Sequence, residues 1–186
     1  MRKILFSLFA AILMLALSQA AHAEETMYAR ANLKVIKGNK ITWVNYQSAK
    51  EFIPAGSKLK VTSSGDSATF VDKDGTSYSV DIGASGDQFL EKFVTKNPVN
   101  VEKYSDKVTA DIHKAIITVG MTNEQAYIAM GAPAYIDGKN KTDSLTYDDI
   151  MKAKLWVYKR STFGKNIGIE FNNNGVVTRT EGIWGK

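Results

Sequence analysis

The side chains able to do chemistry are few. His113 lies between Ile112 and Lys114, and the only other histidine is His22, near the start of the chain. There is no cysteine. Without a thiolate or a second imidazole beside it, His113 cannot complete a zinc site of the usual ligand type. It reads as a surface or half-buried structural residue rather than a binding or pH-sensing one. Asp148-Asp149 and Glu181 are carboxylates of the kind that paired acid/base work requires. Nothing in the sequence fixes their separation, and helix capping and a solvated surface account for them. Asp72-Lys73-Asp74-Gly75 begins like a calcium loop but lacks the third acidic position and the distal glutamate. A hairpin turn is expected there. Gly83-Ala84-Ser85-Gly86 lacks the lysine that completes a phosphate-binding loop, and no G-x-S-x-G elbow occurs. The expectation is a protein that is not an enzyme and has no cofactor or bound metal.

Aromatic residues are the stronger lead, because tryptophan and tyrosine anchor interfaces. Packing of the core accounts for most of Trp43, Tyr46, Phe52, Trp156, Tyr158, Phe163 and Trp184. The candidates for protein binding are Trp156, Tyr158 and Trp184, forming one patch on the C-terminal strands, and Trp43 with Tyr46, forming another.

Several segments must position these residues. Residues 1–23 have the build of a cleaved signal peptide: Met1-Arg2-Lys3 is basic, Ile4 to Leu17 is apolar apart from Ser7, and Ala21-His22-Ala23 is an A-x-A site. A periplasmic or secreted protein follows from that. The apolar run is short for a membrane span, so no integral membrane segment is expected after cleavage. The lack of cysteine excludes disulfides and the lipid-modified cysteine of a lipoprotein. The formal net charge is +5, with two of the cations, Arg2 and Lys3, in the leader. The remaining charges of both signs are interspersed. Nucleic-acid binding calls for a concentrated basic face, and it is not expected.

Residues 24–83 alternate in short runs separated by turns at Lys37-Gly38-Asn39-Lys40, Ser64-Gly65-Asp66 and Asp72-Lys73-Asp74-Gly75. Five or six strands at this spacing predict a small antiparallel barrel or curled sheet. Residues 84–104 are expected to form a connecting helix and linker, with Ser85 and Gln88 as a capping box and Phe89, Leu90, Phe93 and Val94 on one face. Residues 105–186 begin with Ser105 as a helix N-cap. Thr122 and Gln125 have capping-box spacing, and Gly131 and Pro133 end that second helix after about two turns. Ala134 to Thr146 is polar and is expected to be a loop. Thr146 with Asp149 is placed to open a short helical turn. Leu155 to Tyr158, Ile167 to Phe171 and Val176 to Trp184 then form a three-stranded meander, with a tight turn at Asn174-Gly175.

Residues 105 to 184 carry a further pattern in Gly120-Met121-Thr122, Gly131-Ala132-Pro133, Trp156-Val157-Tyr158, Ile169-Glu170-Phe171 and Asn174-Gly175-Val176-Val177. This pattern resembles the SmpA/OmlA, or BamE-like, family of bacterial envelope proteins. The resemblance implies an α+β unit of two helices packed on a three-stranded antiparallel meander. It also implies a non-enzymatic role in cell-envelope or outer-membrane assembly or maintenance, through contacts with envelope proteins or lipid. β-Lactamase inhibitor proteins are built from units of similar shape, so an inhibitor of a secreted or periplasmic enzyme is the alternative. The chain departs from BamE itself in lacking a lipidated cysteine and in its extra segment from Tyr28 to Ile82. That segment is similar in a general way to SH3-like modules through Ile53-Pro54-Ala55-Gly56-Ser57, which admits a cell-wall ligand binder as a third reading.

Overall fold

The computed structural model describes residues 24–83, 86–138 and 140–182. The expected signal peptide, Ser85 and Trp184 lie outside them. The protein is α+β, with curled sheets and short helices. In chain order the first strands are β1 (Glu25–Ala29), β2 (Leu33–Val35), β3 (Lys40–Thr42), β4 (Glu51–Ile53), β5 (Lys58–Ser64), β6 (Ser67–Val71) and β7 (Ser77–Asp81). Leu59, Val61, Ala68 and Phe70 are buried, while Lys58, Lys60, Ser67 and Thr69 between them are exposed. That period of two is what a sheet with one buried face requires. The β5–β6 connection is a two-residue turn with Gly65 at φ 63°, a geometry that matches the twist of paired strands. At the β6–β7 turn, Asp72 Oδ1 accepts from the N–H groups of Asp74 and Thr76, both at 2.9 Å.

The sheet differs from expectation in one pairing. β3 runs parallel to β7, in register Ile41↔Val80, where a wholly antiparallel sheet was expected. No hairpin joins these strands, so their direction is set by tertiary packing. Pairing them seats Ile41 beside Val80 in the core, with both side chains buried.

The connecting segment also differs. α1 (Asp87–Leu90) stops after one turn, with Gly86 at its N-cap, and Val94 enters a further strand, β8 (Val94–Thr95), against β1. Leu90, Phe93 and Val94 do bury together, in the N-terminal core. They reach it by different backbone routes, because the Phe93 carbonyl accepts from Arg30 N–H at 2.8 Å instead of continuing a helix. The resulting sheet has the order β3-β7-β6-β5-β1-β8, and β2 and β4 form a separate antiparallel pair.

The C-terminal half begins with α2 (Asp106–His113), with Ser105 as its N-cap residue, and α3 (Asn123–Met130). The expected capping box of α3 is complete. Gln125 N–H donates to Thr122 Oγ1 at 3.2 Å, and Thr122 N–H donates to Gln125 Oε1 at 2.9 Å. Ala126 through Met130 are all buried, which marks a helix enclosed by the fold and not one lying on its surface. Gly131 ends it at φ 70°, a region of backbone space open chiefly to glycine. A Cβ there would lie 2.5 Å from Asn45 Nδ2.

Ala134 to Thr146, expected to be a loop, holds two short strands, β9 (Tyr135–Ile136) and β10 (Asn140–Lys141). β9 pairs with β11 (Leu155–Lys159), so the meander of β11, β12 (Asn166–Phe171) and β13 (Val177–Glu181) becomes a sheet of order β10-β9-β11-β12-β13. Strands of two residues are too short to show any period. Between β10 and β11 lies α4 (Tyr147–Lys152), opened by the expected pairing of Thr146 with Asp149.

Buried amides join the halves. Asn32 Nδ2 donates to the carbonyls of Ile112 at 2.7 Å and Ala129 at 3.0 Å, and Asn32 Oδ1 accepts from Ala55 N–H at 2.9 Å. Asn45 Oδ1 accepts from Lys34 N–H at 2.8 Å, while its Nδ2 donates to the Met130 carbonyl. The two asparagines thereby supply side-chain donors to carbonyls at the C-terminal ends of α2 and α3, where intrahelical donors run out.

Candidate functional site

Trp156 and Tyr158 are core residues, and the expectation of a surface patch built on them is corrected. Both are 0% exposed. Alternation along β11 turns them toward the helices. Trp156 Nε1 donates to the Ile150 carbonyl and Tyr158 Oη to the Gly131 carbonyl, each at 2.9 Å. Their polar atoms are thus spent inside the protein, as buried Trp and Tyr require. The indole also packs against Phe171, with ring centroids 4.5 Å apart, and edge-on to Tyr127 at 5.9 Å. Trp43 is half-buried against the N-terminal core, and Tyr46 is half-buried on the loop after β3.

That loop brings the two halves together at a surface. Gln47 N–H donates to the Lys159 carbonyl at 3.0 Å and Ser48 N–H to the Arg160 carbonyl at 2.8 Å. Gln47 Nε2 donates to the carbonyls of Asn45 at 2.6 Å and Met130 at 3.2 Å. The loop therefore braces the β11–β12 hairpin where its turn begins, at Lys159 and Arg160. At the hairpin's tip Phe163 is 98% exposed. Among the described residues the other exposed large hydrophobic is Val119, at 62%. Phe163 is the functional candidate that sequence reasoning missed. Its signal was an aromatic residue in a polar turn, Ser161-Thr162-Phe163-Gly164-Lys165, with no apolar neighbour in the turn to pack on.

The remaining chemistry is committed to structure. His113 is exposed, with Nε2 3.2 Å from Glu102 Oε1. Asp149 is held below the usual carboxylate range by its hydrogen bonds with Thr146 in the α4 cap. Glu181 accepts from Arg179. Arg30 stacks over the Tyr147 ring at 4.1 Å. Lys92 is 1% exposed, and its Nζ donates to the carbonyls of Thr142 at 2.6 Å and Asp143 at 3.3 Å. Burial pushes its pKa down to about 8, against the opposing pull of Asp143 and Asp81. The Lys92 carbonyl in turn accepts from Tyr127 Oη at 2.8 Å, so this lysine is a brace between the halves.

Among the described residues no group of three or more His, Cys, Asp or Glu comes together as a metal site would require. No helix among them is long and apolar enough to cross a membrane. A cavity of about 290 Å³ beside β4 is lined in part by Phe52, Pro54, Lys58, Asp72, Lys73 and Tyr78. Compared with known proteins, the chain matches no family model, no curated protein and no solved structure.

Proposed function

We propose that this is an exported, non-enzymatic protein-binding module that serves assembly or maintenance of the bacterial envelope, and that Phe163 is its anchor. The observation that carries the reading is the exposure of Phe163 in a hairpin turn whose first residues are braced by Gln47 and Ser48. An aromatic side chain held out on a pre-ordered support loses little freedom when a partner covers it, so more of its burial appears as affinity. The helix-and-meander arrangement from α2 to β13 supports a BamE-like construction for the C-terminal half. The curled N-terminal sheet supports an SH3-like description of the other. Export rests on the leader, and the sequence without cysteine supports a protein with no lipid anchor.

Crosslinking in whole cells followed by pull-down tests the reading, with Phe163→Ser as the comparison. Envelope assembly predicts recovery of outer-membrane or assembly proteins by the wild type and loss of that recovery in the variant. The same projecting hairpin favours one other reading, an inhibitor that fills the cleft of a secreted or periplasmic enzyme. Recovery of a single such enzyme, with its activity blocked, would select the inhibitor.

A further inference from the structure

Beside the turn end of this hairpin are two cavities that share Ser48 in their walls. One, of about 360 Å³, is lined in part by Lys37, Ser48, Lys50 and Glu51. The other, of about 270 Å³, is lined in part by Gln47, Ser48, Met130, Arg160 and Ile167. Lys37 and Lys50 are exposed. Arg160 donates from Nη2 to the Gly182 carbonyl, while its Nε is buried with no hydrogen-bond partner among the described residues. From Lys159 to Lys165 the hairpin carries Lys159, Arg160 and Lys165 and no carboxylate. Glu51 is the one acidic residue in the walls of either cavity.

We propose that this double cavity receives an extended acidic segment of the protein partner, whose carboxylates meet Lys37, Lys50 and Arg160 while an apolar side chain packs beside Phe163. The inference rests on the reading of Phe163 as an anchor and adds the chemistry of what it docks against. Charge complementarity selects an acidic partner, since cations line both cavities and a like-charged surface would be repelled. Arg160 lines the second cavity, and the charge-assisted bonds of a guanidinium to a carboxylate are the stronger kind. Ile116, Met130 and Ile167 are among the residues lining the second cavity, which suits an aliphatic side chain better than a sugar-phosphate chain.

The test is fluorescence anisotropy of the purified protein with a labelled short poly-L-glutamate peptide at low salt, with heparin and single-stranded DNA as competing polyanions. The peptide is expected to bind, and the double variant Lys37→Glu/Lys50→Glu to weaken it about tenfold or more, the scale of close charge pairs at an interface. Lys141→Glu and Lys152→Glu, at exposed residues that line neither cavity, should leave binding within about twofold, because neither side chain meets the docked peptide. Absence of binding, equal weakening by the two control variants, or heparin or DNA binding as tightly as the peptide would each overturn the proposal. Phe163→Ser should leave peptide binding unchanged because the probe has no apolar side chain. Failure of the cavity and failure of the anchor are therefore read in different assays.

Discussion

Asn45 Nδ2 donates to the carbonyl of Met130, the last residue of the central helix α3, from the loop that follows β3 in the N-terminal half. The same loop passes two backbone hydrogen bonds to Lys159 and Arg160, where β11 enters the turn of the β11–β12 hairpin. A single buried amide thus fixes both the end of a helix and the loop that supports the proposed anchor.

Replacing Asn45 by Ala should cost about 1–3 kcal/mol, because it leaves the buried Lys34 N–H unpaired and the Met130 carbonyl with only the bond from Gln47 Nε2. It also places alanine at φ 49°. Gly131→Ala should cost a similar amount, since its Cβ would collide with the same amide at 2.5 Å. Urea titration followed by tryptophan fluorescence measures both. In the double variant the losses should be less than additive, because the asparagine that the new methyl strikes is gone.

Trp156→Phe should lower stability by about 1–3 kcal/mol through loss of indole packing and of the bond to Ile150. Capture of partners per folded molecule should stay unchanged. A pull-down normalised to folded protein decides the point, and selective loss of capture at unchanged stability would restore Trp156 to the interface.

Lys92 should leave a mark on stability against pH. Burial holds its pKa at about 8, below the ordinary lysine value of 10.5. Between those values the unfolded chain keeps a proton that the folded chain has released, so stability rises with pH across that window. The full window corresponds to on the order of 3 kcal/mol. Above about pH 10 the buried phenols of Tyr127 and Tyr158, kept protonated by burial, act the other way, because the unfolded chain ionises first. Denaturation midpoints from pH 7 to 9.5 should therefore climb in the wild type, and that climb should vanish in Lys92→Met.

Elements encoded by neighbouring residues were legible in the sequence. The box of Thr122 with Gln125, the Ser105 cap position and the turn at Asn174-Gly175, where Gly175 has φ 70°, all stand as expected. Each depends on residues within a few positions of one another. What depended on distant partners was not legible. β8 and β9 are two residues long and exist because β1 and β11 offer open edges. The parallel course of β3 is decided by Val80, far along the chain.

The candidate site shows the same division. Leu155-Trp156-Val157-Tyr158-Lys159 is apolar on both faces of its strand. Alternation groups Trp156 with Tyr158 but does not say which face is covered. The helices and β9 decide that, and they cover the aromatic face. Phe163, in a turn with nothing apolar near it in sequence, is left outside.

Phe163 gives the most direct measurement of the central claim. Its side chain packs on almost nothing, so Phe163→Ser should shift unfolding by no more than about 0.5 kcal/mol. The account predicts that this variant, folded as well as the wild type, loses most crosslinked recovery of envelope proteins. Undiminished recovery by the folded variant would contradict it.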